Sequence, residues 1–438
     1  MAMVSMLFIQ PLLPNGIFYF ILTVLMIDTT NSATVAKNGR ISPCKAPCTE
    51  YGIVATARLE SIDLKIYKVV RRAEDEIAKA SDVRQVVASP GQWKINITAI
   101  LYEPQAFDPI LKALVESAKK VIPVKNRFST PFFFLVLQSE KGVYGEAFNA
   151  MSLRVIEFLN NLNNHPFLPP SKRSIAIIHG RSEILFKWLT VNFLAGYFDQ
   201  EKSHSKVGVL GLSLNTVTQI AYPVHSTSMN ATEFVTIGTM PYLLIAQSYT
   251  KQGFGTTLRE YFTKLGQGQG KRTSPCSPQG AQVQVVDGDI VKQYIGNGNV
   301  QQCRKILNDV ILNDYGRSTR SPYIRKPPKH IKFYALPQVV NVLNEIGCLG
   351  CEKVFTPGKI NAAARLSCSS SKPRNGDLPS TKNCLNANFV YLMLKESYHF
   401  EDNTPITVLP KSVHGIEEDW ALGALLYKLR LLSYEIVP

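Results

Sequence analysis

Several features that mark common protein classes are missing from this sequence. Outside Ile17–Ile27, no apolar run approaches the roughly 18 residues that a membrane-spanning helix needs. The seven histidines are scattered and form no pair at metal-ligand spacing. No solenoid-type repeat and no nucleic-acid-binding module can be recognised. These absences argue against a multispan membrane protein, a histidine metal centre, a repeat scaffold and a DNA- or RNA-binding protein.

Acidic residues are scarce relative to basic ones. The 438 residues include 33 Asp and Glu against 48 Lys and Arg, which gives a formal net charge of +15. Such an excess favours anionic partners such as nucleotides, glycans or acidic membranes. A positive charge scattered over the surface of a soluble protein would explain it equally well. Hydrophobic residues make up 45% of the chain, which is enough for two domains with cores of their own.

The apolar run near the start of the chain predicts a targeting segment. Ile17–Ile27 is 11 residues long, which suits the core of a secretory signal peptide better than a membrane span. Residues 1–33 are therefore predicted to be a signal peptide cut near Ala33, with residues 34–50 as a tether. Because no basic residue precedes the run, an uncleaved signal anchor is the alternative. Membrane contact is expected through this segment alone.

Cysteines and glycosylation sequons indicate the same compartment. The eight cysteines are an even number, as in chains that form disulfides in an oxidising environment. Asn96 and Asn230 begin N-glycosylation sequons. Cys348 and Cys351 have the spacing of a metal or redox pair, but without a second such pair a structural disulfide is the favoured interpretation. We expect a glycoprotein that is secreted or resides in the lumen of the secretory pathway.

Strand-like and helix-like segments alternate along the rest of the chain. Apolar runs of about six residues predict buried strands, and apolar residues at a spacing of three and four predict helices. This alternation is typical of an α/β fold. The predicted strands are Tyr51–Val54, Leu64–Val69, Phe132–Leu137, Ser174–Ile178, Val207–Leu212 and Val217–Tyr222, and the predicted helices are Phe107–Val121, Ser152–Asn163 and Glu183–Phe198.

Five segments in a fixed order carry the main functional signal. They are Tyr51–Val69, Thr130–Lys141, Ile177–Phe198, Val207–Ile220 and Trp420–Gly423. The third segment agrees best with a known family motif, I-x-S-G-x-E-E-G-x-x-G-W-x-x-x-N-Y-L-x-x-x-F. The residues that match this motif in register are Gly180, Glu183, Trp188, Asn192, Leu194 and Phe198. In this order the segments resemble the motifs of the nucleoside triphosphate diphosphohydrolases, the apyrase family.

The resemblance implies a fold and two disulfides. The family has two actin-like (RNase H-like) α/β domains around a central cleft. For this chain that implies residues 51–178 with 420–438 as the first domain and residues 179–419 as the second. The family's disulfide pairs correspond to Cys276 with Cys303 and to Cys368 with Cys384.

The family's phosphate-binding hairpins are altered in this chain. In the family, two Gly-rich hairpins cradle the phosphates, and an Asp in each helps to hold a hydrated Ca²⁺ or Mg²⁺. Here Thr56 and Gly211 stand at the two Asp positions, and Arg58 and Ser213 stand at Gly positions. A Cβ at such a Gly blocks the close approach of the backbone to phosphate, and no metal ligand can be assigned. The other equivalents of phosphate-loop residues are Glu60, Ser61, Thr216, Thr218 and Gln219.

One carboxylate of the family's third motif remains. The family's Glu-Glu pair, which supplies a general base that activates water, becomes Ser182-Glu183. The resemblance implies that the first residue of the pair is the base, and Ser182 stands there. Glu183 is the candidate catalytic residue if the motif aligns one residue further along, and capping of a helix start explains an acidic residue at this position at least as well. Arg58, Lys141 and Arg181 would add positive charge to the cleft and are candidate anion-binding residues.

Three functions follow from the resemblance. The favoured hypothesis is a divergent family member whose catalysis is lost or severely reduced and which binds or scaffolds outside the cell. The second is a metal-free binder of a nucleotide or another anion. The third is a working nucleoside tri- or diphosphate phosphohydrolase, which would need Ca²⁺ or Mg²⁺.

Overall fold

Two mixed β-sheets with helices packed against them form most of the described structure. A computed structural model describes residues 47–58, 61–72, 78–87, 93–95, 100, 102–137, 144–161, 166–168, 174–198, 206–212, 218–224, 233–238, 240–249, 254–266, 273–287, 290–314, 326–348, 350–369, 383–417 and 419–429. The predicted signal segment lies outside these residues. None of the described helices is both long and apolar enough to cross a membrane.

The strands follow the short apolar runs of the sequence. They are β1 (Cys48–Ala57), β2 (Ser61–Arg71), β3 (Val83–Val87), β4 (Trp93–Lys94), β5 (Phe132–Leu137), β6 (Ile175–Ile178), β7 (Gly208–Leu212), β8 (Thr218–Val224), β9 (Glu233–Ile237), β10 (Met240–Tyr249), β11 (Thr273–Ser274), β12 (Gln282–Asp287), β13 (Ile290–Gly296), β14 (Phe333–Ala335), β15 (Val354–Phe355), β16 (Ile406–Val408), β17 (Ser412–Val413) and β18 (Ile416–Glu417).

The helices lie between and after these strands. They are α1 (Asp108–Val121), α2 (Val124–Arg127), α3 (Tyr144–Asn160), α4 (Gly180–Leu194), α5 (Phe254–Gly266), α6 (Val300–Asp314), α7 (Val339–Glu345), α8 (Pro357–Ser369), α9 (Asn383–Leu392) and α10 (Trp420–Lys428). Short 3₁₀ turns occur at Ala80–Asp82 and Pro104–Phe107, and a π-helical turn follows α9 at Met393–Ser397.

Each large sheet contains one of the two predicted hairpins. The first sheet has the order β3-β2-β1-β5-β6, with β4 beside β2, and the second has the order β15-β16-β14-β7-β8-β10-β9. The pairs β1–β2 and β7–β8 are antiparallel, whereas β5 is parallel to β1 and to β6. Strand β5 lies between β1 and β6, and its apolar side chains alternate between two hydrophobic clusters, so both of its faces are buried. Smaller sheets are formed by β11-β13-β12 and by β17-β18.

Helices α4 and α10 join the two large sheets in one hydrophobic cluster. This cluster contains side chains of both helices, Val54 of β1 and Val209 of β7. The two helices cross closely at Gly423, where an added Cβ would overlap the Phe186 carbonyl group, whose carbon would lie 2.6 Å away. Thr190 Oγ1 accepts a hydrogen bond from the Gly423 backbone N–H at 2.8 Å. Helix α4, which carries Glu183, is therefore held against α10 by close packing and by a hydrogen bond.

Several element boundaries differ from the predicted ones. Strand β1 begins at Cys48, inside the segment predicted as a tether. Helix α3 begins at Tyr144 rather than at Ser152, and α4 begins at Gly180 and ends at Leu194 rather than spanning Glu183–Phe198. The apolar pattern of α4 starts only at Ile184, so it underestimates the first turn, which is polar and begins after the extended residue His179.

Three disulfides are present among the described residues. Cys276 bonds to Cys303 and Cys368 bonds to Cys384, the two pairs that the resemblance implies. Cys348 bonds to Cys351, as the structural interpretation of that spacing predicts.

Candidate functional site

The first predicted phosphate hairpin is tighter than the sequence suggests. Strands β1 and β2 pair as far as Thr56 with Asp63 and Ala57 with Ile62, and the Arg58 N–H donates to the Ser61 carbonyl at 2.8 Å. Thr56 and Ser61 thus lie in the strands rather than in an open loop. Thr56 is buried, and Arg58 is exposed. The tip, including Glu60, lies outside the described residues.

The second predicted hairpin also places motif residues in paired strands. Gly211 lies in β7 opposite Gln219 of β8, and Leu212 pairs with Thr218. An added Cβ at Gly211 would meet its nearest neighbour, Leu336, at 3.4 Å, which is an ordinary contact. Space therefore does not require glycine at this position. Ser213 and Thr216 lie outside the described residues.

Glu183, Lys187 and Gln219 form a closed set of hydrogen bonds, here called the α4–β8 polar cluster. Lys187 Nζ donates to Glu183 Oε1 at 2.6 Å and to Gln219 Oε1 at 2.8 Å. Gln219 Nε2 donates to Glu183 Oε2 at 2.8 Å. The side chains of Glu183 and Lys187 are 13% and 16% exposed, and Gln219 is 3% exposed. The ion pair is therefore largely shielded from water. This shielding makes the attraction between the two charges stronger than in an exposed ion pair.

A glycine lets the helix approach the sheet at this cluster. At Gly180, the first residue of α4, an added Cβ would lie 2.7 Å from Ser248 Cβ of β10 and would overlap its hydroxyl. Ser248 is the cross-strand partner of Gln219. The missing side chain at Gly180 therefore allows the first turn of α4 to bring Glu183 to Gln219.

Two of the three predicted anion-binding residues, Arg58 and Arg181, are not part of the α4–β8 polar cluster. Arg181 lies 3.9 Å from Glu233 Oε1, and its side chain is 55% exposed. Burial raises the pKa of Glu233, an effect that the positive charge of Arg181 opposes. Among the described residues, neither Arg58 nor Arg181 is hydrogen-bonded to the cluster. Lys141 lies outside the described residues, as do the sequons at Asn96 and Asn230.

Comparison with known proteins decides the family. The model of the GDA1/CD39 (nucleoside phosphatase) family matches residues 45–436. The chain belongs to this family.

Relatives and a solved structure agree with this membership in the nucleoside phosphatase family. The ectonucleoside triphosphate diphosphohydrolase 5 of Gallus gallus is 25% identical over 400 residues, covering 88% of this chain and 89% of that protein. The human nucleoside diphosphate phosphatase ENTPD5 is 25% identical over 399 residues with the same coverage. The crystal structure of nucleoside triphosphate hydrolases from Neospora caninum covers 92% of this chain and 96% of its own, with a TM-score of 0.62 and 13% identity. This structural likeness concerns the fold, and the actin-like α/β class expected from the sequence is confirmed.

The described residues do not fit the divalent cation that the family resemblance implies. The two positions expected to carry Asp hold Thr56 and Gly211, which have no carboxylate. Asp63 pairs with Thr56 across the first hairpin, but one carboxylate does not make a site for Ca²⁺ or Mg²⁺, which take several oxygen ligands. No group of three or more His, Cys, Asp and Glu side chains that could hold a metal occurs in the described ranges.

Reasoning from the sequence missed Lys187. It occupies the position at which the third motif has the Gly before Trp. Its spacing of four residues from Glu183 on a helix was the available signal, because side chains four apart lie on the same helix face. Its contact with Gln219 could not be read from any local pattern, because 32 residues separate the two.

A separate surface cavity of about 480 Å³ has no motif residue among the described residues that line it. Its lining includes Lys326, Lys395, His399, Phe400 and Glu401. The pKa of Glu401 is lowered by its hydrogen bonds to Lys326 and Lys329. Ion-paired side chains therefore line the cavity, and none of its described lining residues belongs to the α4–β8 polar cluster.

Proposed function

We propose that this nucleoside phosphatase family member binds nucleoside phosphates but hydrolyses them extremely slowly or not at all. The observation that carries the proposal is the state of Glu183, whose two carboxylate oxygens accept hydrogen bonds from Lys187 and Gln219. A general base must accept a proton from the attacking water. Because each oxygen of Glu183 already accepts a hydrogen bond from the protein, an attacking water would have to use the lone pairs that remain.

The altered hairpins support the same proposal. Hydrolysis of a phosphoanhydride depends on positioning and on stabilising the negative charge of the transferred group. A divalent cation contributes several kcal/mol to that stabilisation. Thr56 and Gly211 provide no carboxylate for such a cation. Thr56 and Gly211 also lie within paired strands, opposite Asp63 and Gln219.

A working phosphohydrolase is the second candidate function. It is favoured by relatives named as diphosphohydrolases and as a nucleoside diphosphate phosphatase. The contact between Glu183 of the third motif and Gln219 of the fourth also supports it, because these motifs would have to meet in an active site.

A phosphate-release assay separates the two candidates. Purified full-length protein would be incubated with ADP or ATP, with Ca²⁺ or Mg²⁺ and with EDTA. We expect release no faster than that of the Glu183→Gln variant, because both oxygens of Glu183 are engaged by Lys187 and Gln219. Release that depends on divalent cation and is abolished by Glu183→Gln would establish the hydrolase instead.

We infer that the protein acts in the secretory pathway or outside the cell. Three features of the sequence support this location: the apolar segment Ile17–Ile27, the even number of cysteines and the sequons at Asn96 and Asn230. The disulfides Cys276–Cys303 and Cys368–Cys384 are consistent with an oxidising compartment. Retention at a membrane by the same N-terminal segment is the alternative to release.

A further inference from the structure

Among the described residues, the Lys187 ammonium, which contacts Gln219 of the second hairpin, has one N–H donor without an acceptor. A lysine ammonium carries three N–H donors, and two of them are taken by Glu183 and Gln219. No residue that the structure describes accepts from the third N–H, which is therefore left for another acceptor. The side chain is mostly buried but retains 16% exposure, so a ligand at this hairpin could reach the ammonium.

Formal charges show what this lysine changes. A family site with two Asp, one Glu and a divalent cation has a formal charge of about −1 by simple counting. In this chain the corresponding residues Thr56 and Gly211 are neutral, and Lys187 balances Glu183. The site is therefore close to neutral without any metal. It would repel a polyphosphate no more than the family site does with its cation bound.

We propose that the Lys187 ammonium takes the place of the divalent cation in this site, and that the phosphates of a nucleoside diphosphate bind to it without a divalent metal. The inference rests on the proposed function, since it specifies how the charge of the bound nucleotide is met. An ammonium binds phosphate oxygens as a compact point charge. Gln219 and Glu183 orient that charge through their bonds to Nζ.

Calorimetry with ADP, in EDTA and then with excess Mg²⁺, tests the proposal on the full-length protein. We expect binding in EDTA with an affinity that Mg²⁺ changes by less than about threefold, well under the tenfold that 1.4 kcal/mol would produce. Binding that appears only with Mg²⁺ would overturn the inference and leave the proposed function intact. No binding under either condition would overturn the proposed function as well.

Two variants with opposite expected effects test Lys187 itself. Lys187→Met removes the ammonium and should weaken ADP binding in EDTA about tenfold or more, as expected for the loss of a charged hydrogen bond. Glu183→Gln removes the competing carboxylate and should strengthen binding, because Lys187 is then free to serve the phosphate alone. A purely structural role for the ion pair would instead make both variants bind less.

Lys119→Met is the matched control. Lys119 makes a similar ion pair with Glu116 on α1, at 2.8 Å and with a spacing of three residues, but contacts none of the motifs. It should bind ADP as the unmodified protein does. Circular dichroism of each variant checks folding, and if Lys187→Met fails to fold, the Glu183→Gln result decides alone. Weaker binding by Lys119→Met equal to that of Lys187→Met would refute the specific role of Lys187.

Discussion

At the scale of single residues, Gly180 determines whether the α4–β8 polar cluster can form. Glu183 and Gln219 were both predicted as site residues, yet their contact depends on how closely α4 approaches β10. That approach is possible because Gly180 has no Cβ to collide with Ser248. Glycine is therefore needed at this position for its small size, because Ser248, 68 positions further along the chain, occupies the space of a side chain.

Gly180→Ala should destabilise the protein, and a second change should rescue it. Overpacking of this kind costs about 1–3 kcal/mol. Ser248→Gly removes both atoms that the new methyl group would meet, so the double variant should recover most of the loss. Urea unfolding of the two single variants and the double variant measures the coupling between the two positions. Additive effects would show that Gly180 and Ser248 do not compete for the same space.

At the scale of secondary structure, the crossing of α4 and α10 links the third motif to the closing motif. Asp419 caps α10 by accepting from the Ala421 N–H at 2.8 Å, and its carboxylate is also paired with Lys65 of β2. Thr190 of α4 donates to the Asp419 carbonyl at 2.7 Å. These bonds tie β2, α4 and α10 together, so the closing motif supports the helix that carries Glu183.

Gly423→Ala should separate these helices. The new Cβ would overlap the backbone carbonyl of Phe186, which cannot move aside as a side-chain end could. We expect a loss of about 1–3 kcal/mol in unfolding free energy. Gly266→Ala, at the end of α5, is the control, because its Cβ would meet its nearest neighbour at 3.5 Å. The control should be neutral or slightly stabilising, and equal losses in both variants would contradict the close crossing.

At the scale of the whole molecule, disulfides brace the helices behind the second sheet. Cys276–Cys303 joins the turn before β12 to α6, and Cys368–Cys384 joins α8 to α9. Arg304, next to Cys303, donates to Asn388 Oδ1 at 2.7 Å. Asn388 in turn donates to the Cys384 carbonyl at 2.8 Å. The two disulfides therefore belong to one hydrogen-bonded network.

The disulfides and the inferred location make a joint prediction. Full-length protein expressed in eukaryotic cells should enter the secretory pathway and lose mass on enzymatic removal of N-linked glycans. The Cys276→Ala/Cys303→Ala variant should be secreted in smaller amounts. Its free energy of unfolding should be about 3 kcal/mol lower, because the disulfide no longer closes the 27-residue loop. Reducing and non-reducing electrophoresis and thermal unfolding measure both effects. A protein without glycans whose stability is unaffected by the double change would contradict the location and the bracing role.

Much of the fold was predictable because its signals are local. The apolar run Phe132–Leu137 predicted β5 with its observed limits, and the hairpin β7–β8 was placed to within one residue at its facing ends. The polar first turn of α4 was missed because hydrophobic periodicity cannot detect a turn that begins before the first apolar residue. The lengths of β1 and β2 were underestimated because strand pairing, rather than composition, extends them to Ala57 and Ser61.

The family, the α/β class and the absence of carboxylates at Thr56 and Gly211 follow from the sequence alone, because motif order and residue identity can be read along the chain. The hydrogen-bond partners of the Glu183 carboxylate, in contrast, can be identified only in the folded protein. Its partner Lys187 lies one helical turn away on α4, but Gln219 comes from strand β8, and the hydrogen bonds of the cluster form only when α4 packs against β8. Contacts between distant segments depend on packing, which no local pattern encodes.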